Sequence, residues 1–105
     1  MQFTSFLENG RLTVALTGEI DHHCARNYIQ AIAGKIEAYT PEICILDFEA
    51  VSFVDSSGVA VVINALRFMT QIGGKLMLTR IADQPMKVFR ASGIDKLVDI
   101  KEAVS

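Results

Sequence analysis

A chain of 105 residues with 50% hydrophobic and 21% charged side chains has the size and apolar content of one domain with its own core, which excludes intrinsic disorder. No apolar run nears the roughly 20 residues of a spanning helix, and Met1-Gln2-Phe3-Thr4 lacks a basic secretory n-region, so a cytoplasmic protein with no membrane partner is expected. The net charge of −2 argues against a direct nucleic-acid partner; eight acidic against three basic side chains in residues 1–58 make the front half an acidic surface, and residues 59–105 carry seven basic against four acidic.

Residues 2–8 and 11–17 read as strands joined by Asn9-Gly10, a pair that tolerates positive φ and closes tight hairpins. In the second of them Leu12, Val14 and Leu16 alternate with Arg11, Thr13 and Thr17, the period of a half-buried strand. The period then changes. Ala25, Ile29, Ile32 and Ile36 recur at spacings of four and three, predicting a helix over about 22–39 with Asp21 at its N-cap and Pro41 blocking continuation. Ile43-Cys44-Ile45-Leu46 is wholly apolar, as in a strand covered on both faces, and a loop over 47–55 follows. Cys44 reads as a small core residue, and with Cys24 it forms no spaced metal or redox motif.

A second helix is predicted over about 57–71, ending at Gly73-Gly74, and Leu76-Met77-Leu78 forms another buried strand. Asp83-Gln84-Pro85 opens a third helix that Gly93 closes. Residues 97–100 are a last short strand, and the tail beyond is read as adding one helical turn. The order ββαβαβαβ, in a single domain over 1–105, implies an α/β fold: a single mixed sheet of four to five strands, a hairpin followed by parallel strands with right-handed crossovers. In such sheets function gathers at the carboxyl ends of the strands, here the loops at 18–21, 47–57 and 79–83. If the second and third strands are parallel neighbours, Asp21 and Ser56 share a face. Arg80 and Asp83 edge the same face and could border a partner.

Phe53-Val54-Asp55-Ser56-Ser57-Gly58 stands at the start of the second helix. One reading is capping alone, which contributes about 1 kcal/mol. The other is a regulatory hydroxyl. Two chemistries are set aside here. Consecutive helical residues point about 100° apart, so His22-His23-Cys24 cannot close around one metal ion. A serine hydrolase lacks its G-x-S-x-G elbow, so no catalytic residue is assigned.

Thr17-Gly18-Glu19-Ile20-Asp21-His22-His23, followed one crossover later by Phe53-Val54-Asp55-Ser56-Ser57-Gly58, resembles the STAS family of anti-sigma factor antagonists. Gln71-Ile72-Gly73-Gly74-Lys75 and Val88-Phe89-Arg90-Ala91-Ser92-Gly93 extend the likeness over nearly the whole chain, and the D-H-H is closest to the sporulation (stage II AA-type) branch. The resemblance implies the STAS fold with helices packed mainly on one face. It also implies a bacterial, cytoplasmic regulator of transcription that is not an enzyme; no cofactor is expected, and a monomer is expected when free. Its partners would be an anti-sigma factor that is also a serine kinase, and a PP2C-type phosphatase. The unphosphorylated form would bind the anti-sigma factor and free the sigma factor, and phosphorylation would end the binding.

By motif position the acceptor is Ser56, with Ser57 as its helix-capping neighbour. Asp21, Asp55, Ser57 and Gly58 would support recognition or geometry, and His22 and His23 border the same loop. On the second helix Ile63, Leu66 and one of Val59 or Val62 are expected to form the core stripe. That leaves Val61, Ala65, Phe68 and Ile72 either as an apolar docking strip or absorbed by a crowded core. The alternative function is a STAS scaffold or ligand-sensing module within a larger signalling assembly.

Overall fold

Asn9 and Gly10, with φ of 51° and 78°, close the hairpin between β1 (Phe3–Glu8) and β2 (Arg11–Ile20), whose last pair is Glu8 with Arg11. The computed structural model describes residues 3–101, so Gln2 and the helical turn expected for the tail lie outside the described residues. After β2 come α1 (Ala25–Tyr39), β3 (Ile43–Val54), α2 (Ser56–Gln71), β4 (Lys75–Thr79), α3 (Asp83–Ser92), the short α4 (Ile94–Leu97) and β5 (Asp99–Lys101).

The five strands lie side by side in chain order, β1 antiparallel to β2 and every later pair parallel. Right-handed crossovers that always step in one direction place their helices on the same side of the sheet. Burial follows that geometry. Leu12, Val14, Leu16, Cys44, Leu46, Leu76 and Leu78 face the helices and are at most 3% exposed, whereas the alternate Thr13, Ala15, Ile43, Ile45 and Met77 are only partly buried. The expectation that the 43–46 strand is covered on both faces is therefore corrected, because no crossover reaches the far side.

The predicted loop over 47–55 is mostly strand. β3 continues to Val54 because β2 runs beside it to Ile20, pairing Thr17 with Ala50, Gly18 with Val51, Glu19 with Phe53 and Ile20 with Val54. Two register shifts interrupt this ladder, between Ala15 and Thr17 and between Gly18 and Glu19, and they break the period-2 pattern that sequence reading relies on. Tyr28 of α1 pins the first shift: its hydroxyl donates to the Thr17 carbonyl at 2.9 Å and accepts from the Thr17 N–H at 3.3 Å.

Helix α1 packs Tyr28, Ile32 and Ile36 into the core, and α3 adds Phe89, whose ring meets Phe48 edge-on at 5.3 Å. From α2 the buried residues are Gly58, Val61, Val62, Ala65 and Met69. Val61 and Ala65 are each 1% exposed, so they are core and not a docking strip, whereas Ile63, expected in the core, is 37% exposed. The physical reason is phase. α2 packs on two sides at once, against α1 beside it and the sheet beneath, so its apolar face is turned and widened relative to a single stripe.

Candidate functional site

The site is built where β2 and β3 end together. Ile20 and Val54 are register partners, and the Asp55 N–H donates to the Ile20 carbonyl at 3.3 Å. Asp21 and Asp55 thus leave adjacent strands, about 4.8 Å apart at the backbone, and open the two helices side by side. The shared face expected for Asp21 and Ser56 follows from this parallel pairing.

Asp55 is the N-cap of α2, with extended backbone, and its carboxylate accepts from the Ser57 N–H at 2.7 Å. The cap is therefore Asp55, and Ser57 supplies the donor; this corrects the capping role expected of Ser57. Ser56 is the first residue of the helix and is exposed. Its hydroxyl stands at the positive end of the α2 dipole, next to Asp55 in the chain and at the strand-end edge that also carries Asp21 and the exposed Glu19. Gly58, third in the helix, is buried. A Cβ there would meet Val54 and the Ile20 carbonyl, so Gly58 admits this chain's own strand ends and presents nothing to a partner.

Asp21 does not cap α1 directly. Its carboxylate accepts from the His23 N–H at 2.9 Å and its carbonyl accepts from Ala25 N–H at 3.0 Å, which orders a turn before the helix; Cys24 is the N-cap, in helical conformation and without a side-chain cap bond. The backbone bond from His23, aided by the His23 and His22 charges, holds the Asp21 carboxyl below its usual value. His22 and His23 are exposed, with ring centroids 4.0 Å apart. Among the described residues no group of three His, Cys, Asp or Glu is placed to hold a metal, and no helix is long and apolar enough to cross a membrane.

Two features escaped the sequence. Asp47, expected in a loop, lies in β3 at 7% exposure, and Arg80 forks onto it while also pairing with Glu49. Those partners hold Arg80 at a φ of 56° and raise its already high pKa. The 520 Å³ groove beside them is lined by Arg80, Lys87, Arg90 and Lys101 among others and does not include Ser56, Asp21 or Asp55. The second feature is Gln84 in the first turn of α3. Its amide accepts from the Val54 N–H at 2.9 Å and donates to the Val54 carbonyl at 3.0 Å. The exposed apolar groups of this end are Phe53, at 39%, and Ile63, which shares an outward stripe of α2 with Ser56, Ala60 and Arg67.

Comparison with known proteins places this geometry. The STAS domain model matches residues 7–105. An anti-sigma F factor antagonist of Lysinibacillus sphaericus is 32% identical over 83 residues, covering 79% of this chain and 71% of the relative. The unphosphorylated anti-sigma factor antagonist SpoIIAA superposes with a TM-score of 0.84 at 28% identity, over 99% of this chain and 90% of that one. The phosphorylated form of the Bacillus SpoIIAA superposes at 0.76, also at 28% identity, over 99% and 93%. With its model match spanning nearly the whole length and its two-serine helix mouth at the β2–β3 edge, this chain belongs to the STAS domain family.

Proposed function

We propose that this chain is an anti-sigma factor antagonist whose Ser56 hydroxyl is the phosphoacceptor of a partner switch. The observation that carries the reading is the exposed Ser56 at the first position of α2, beside the joined ends of β2 and β3. The unphosphorylated protein binds an anti-sigma factor and releases the sigma factor. That anti-sigma factor is also the serine kinase: the Ser56 oxygen bonds the γ-phosphorus of ATP as the bond to ADP breaks, and the hydroxyl proton passes to a base of the kinase. A PP2C-type phosphatase hydrolyses the ester and restores the serine.

Phosphorylation adds about −1.5 to −2 charge and three acceptor oxygens. At the first position of α2 this charge meets the positive end of the helix, so the domain tolerates it. A docked partner does not, because Glu19, Asp21 and Asp55 already make the surface negative and a complementary partner presents basic groups and N–H donors there. The switch is a local steric and electrostatic block with little refolding, and the likeness to SpoIIAA in both of its states supports this. The partner footprint centres on Ser56 and includes Asp21, His22, His23, Phe53, Asp55, Ala60 and Ile63.

The test is incubation with the anti-sigma factor kinase and ATP. One phosphate is expected by mass spectrometry, none on Ser56→Ala, and Ser56→Asp should fail to form the complex. Modification at another residue, or a complex unaffected by Ser56→Asp, would overturn the reading.

A further inference from the structure

We propose that Gln84 is the positioning residue of the switch, a side-chain tether from α3 that fixes the Val54 peptide and through it the placement of Ser56. The inference rests on the reading of Ser56 as phosphoacceptor and concerns what holds that serine in place. Pairing between β3 and β4 ends at Asp47 with Thr79, because the chain turns away at Arg80, where the ion pairs to Asp47 and Glu49 hold the turn. β3 itself continues to Val54. On one side Val54 has β2; on the other, the place of a β4 residue is empty of backbone. Gln84 fills it, giving Val54 one acceptor and one donor, as a strand residue would.

The primary amide offers a neutral donor and acceptor from one planar group, and only one orientation of it satisfies both Val54 atoms. Val54 is fully buried, so its N–H and carbonyl have no water to replace a lost partner. The next residues are Asp55, the cap, and Ser56, the acceptor, while Gly58 one turn on leans against the Val54 side chain. A shift of the Val54 peptide therefore moves the whole helix mouth. Docking draws on a broad surface and tolerates such a shift, whereas in-line phosphoryl transfer demands the hydroxyl within a fraction of an ångström.

Two variants test it. Gln84→Met keeps length and volume and removes both bonds. Gln84→Glu keeps the acceptor for the Val54 N–H but turns a carboxylate oxygen toward the Val54 carbonyl. In Gln84→Met the Val54 amide should exchange with solvent at least about tenfold faster while Leu46, deep in the ladder, is unchanged. In Gln84→Glu it should stay protected. With the kinase, the affinity for each variant should remain within about threefold of the parent while kcat for phosphorylation falls about five- to tenfold. A Val54 amide still protected in Gln84→Met, or a parental kcat in both variants, overturns the tether. If the parent protein takes its phosphate elsewhere than Ser56, the switch reading fails, and Val54 exchange alone then decides whether Gln84 holds the strand end.

Discussion

A Cβ on Gly58 would stand 2.3 Å from Cγ1 of Val54 and 3.2 Å from the Ile20 carbonyl oxygen. The first turn of α2 thus rests directly on the ends of two strands, and neither neighbour yields: Val54 is β-branched and the oxygen is backbone. Gly58→Ala should destabilise the fold by about 1–3 kcal/mol despite the better helix propensity of alanine. Urea unfolding measures it, and a neutral or stabilising result would mean the helix mouth slides easily.

Val61 and Ile63 lie two residues apart on α2, yet one is 1% exposed and the other 37%. Val61→Glu should cost more than about 3 kcal/mol, since it places a charge among apolar side chains. Ile63→Glu should leave stability within about 0.5 kcal/mol. It should also weaken anti-sigma factor binding at least about tenfold if the outward stripe below Ser56 is part of the interface. Calorimetric titration alongside thermal melts separates the two effects.

Replacing Asp55 by Ala removes the acceptor for the Ser57 N–H and should cost about 1 kcal/mol, with faster exchange at Ser57 and Gly58. Equilibrium unfolding and amide exchange read both consequences. Glycine at the same position should cost less than alanine, because it relaxes the extended N-cap backbone at no steric penalty.

The Asp21 carboxyl is held below its ordinary value of 3.8, chiefly by the His23 backbone N–H. A depressed acid stabilises the folded state in full above its unfolded value, and that contribution disappears as pH falls through the lower folded value. Asp21→Asn keeps the acceptor and removes the charge. The stability difference between parent and variant should therefore shrink toward nothing as pH falls from that ordinary value into stronger acid. Urea titrations at a series of acidic pH values check the sign.

Cys44 is fully buried, and burial pushes its thiol up to about 12, whereas Cys24 is partly exposed at the start of α1. A thiol-specific reagent at neutral pH should label Cys24 in the folded protein and reach Cys44 only on unfolding. Cys24→Ser leaves a native protein that does not react.

The two-serine motif and the acidic loops were legible because they are local: Asp-Ser-Ser-Gly before an apolar helix, and Gly-Glu-Ile-Asp after an alternating strand. The same locality explains the errors. The strand beyond Asp47 reads as loop from sequence because register shifts opposite Thr17 and Gly18 scramble the alternation of 48–54. The outward face of α2 was misplaced because Val61 and Ala65 are apolar in any phase, and only the packing of α1 and the sheet decides which phase is buried. Gln84 gave no signal, since its partner lies 30 residues away and belongs to the backbone.

The amino-acid pattern by itself determined the alternation of strands and helices, the hairpin at Asn9-Gly10, a helix starting at about Ser57 and the acidic character of the front half. These depend on side-chain periodicity, capping and turn chemistry, which act over a few residues. Which acid caps which turn, which α2 residues face out, and what holds the peptide before the serine were decided only in three dimensions. Each depends on atoms that chain connectivity keeps far apart and that the parallel pairing of β2 with β3, and the return of α3 to the end of β3, bring within hydrogen-bonding distance.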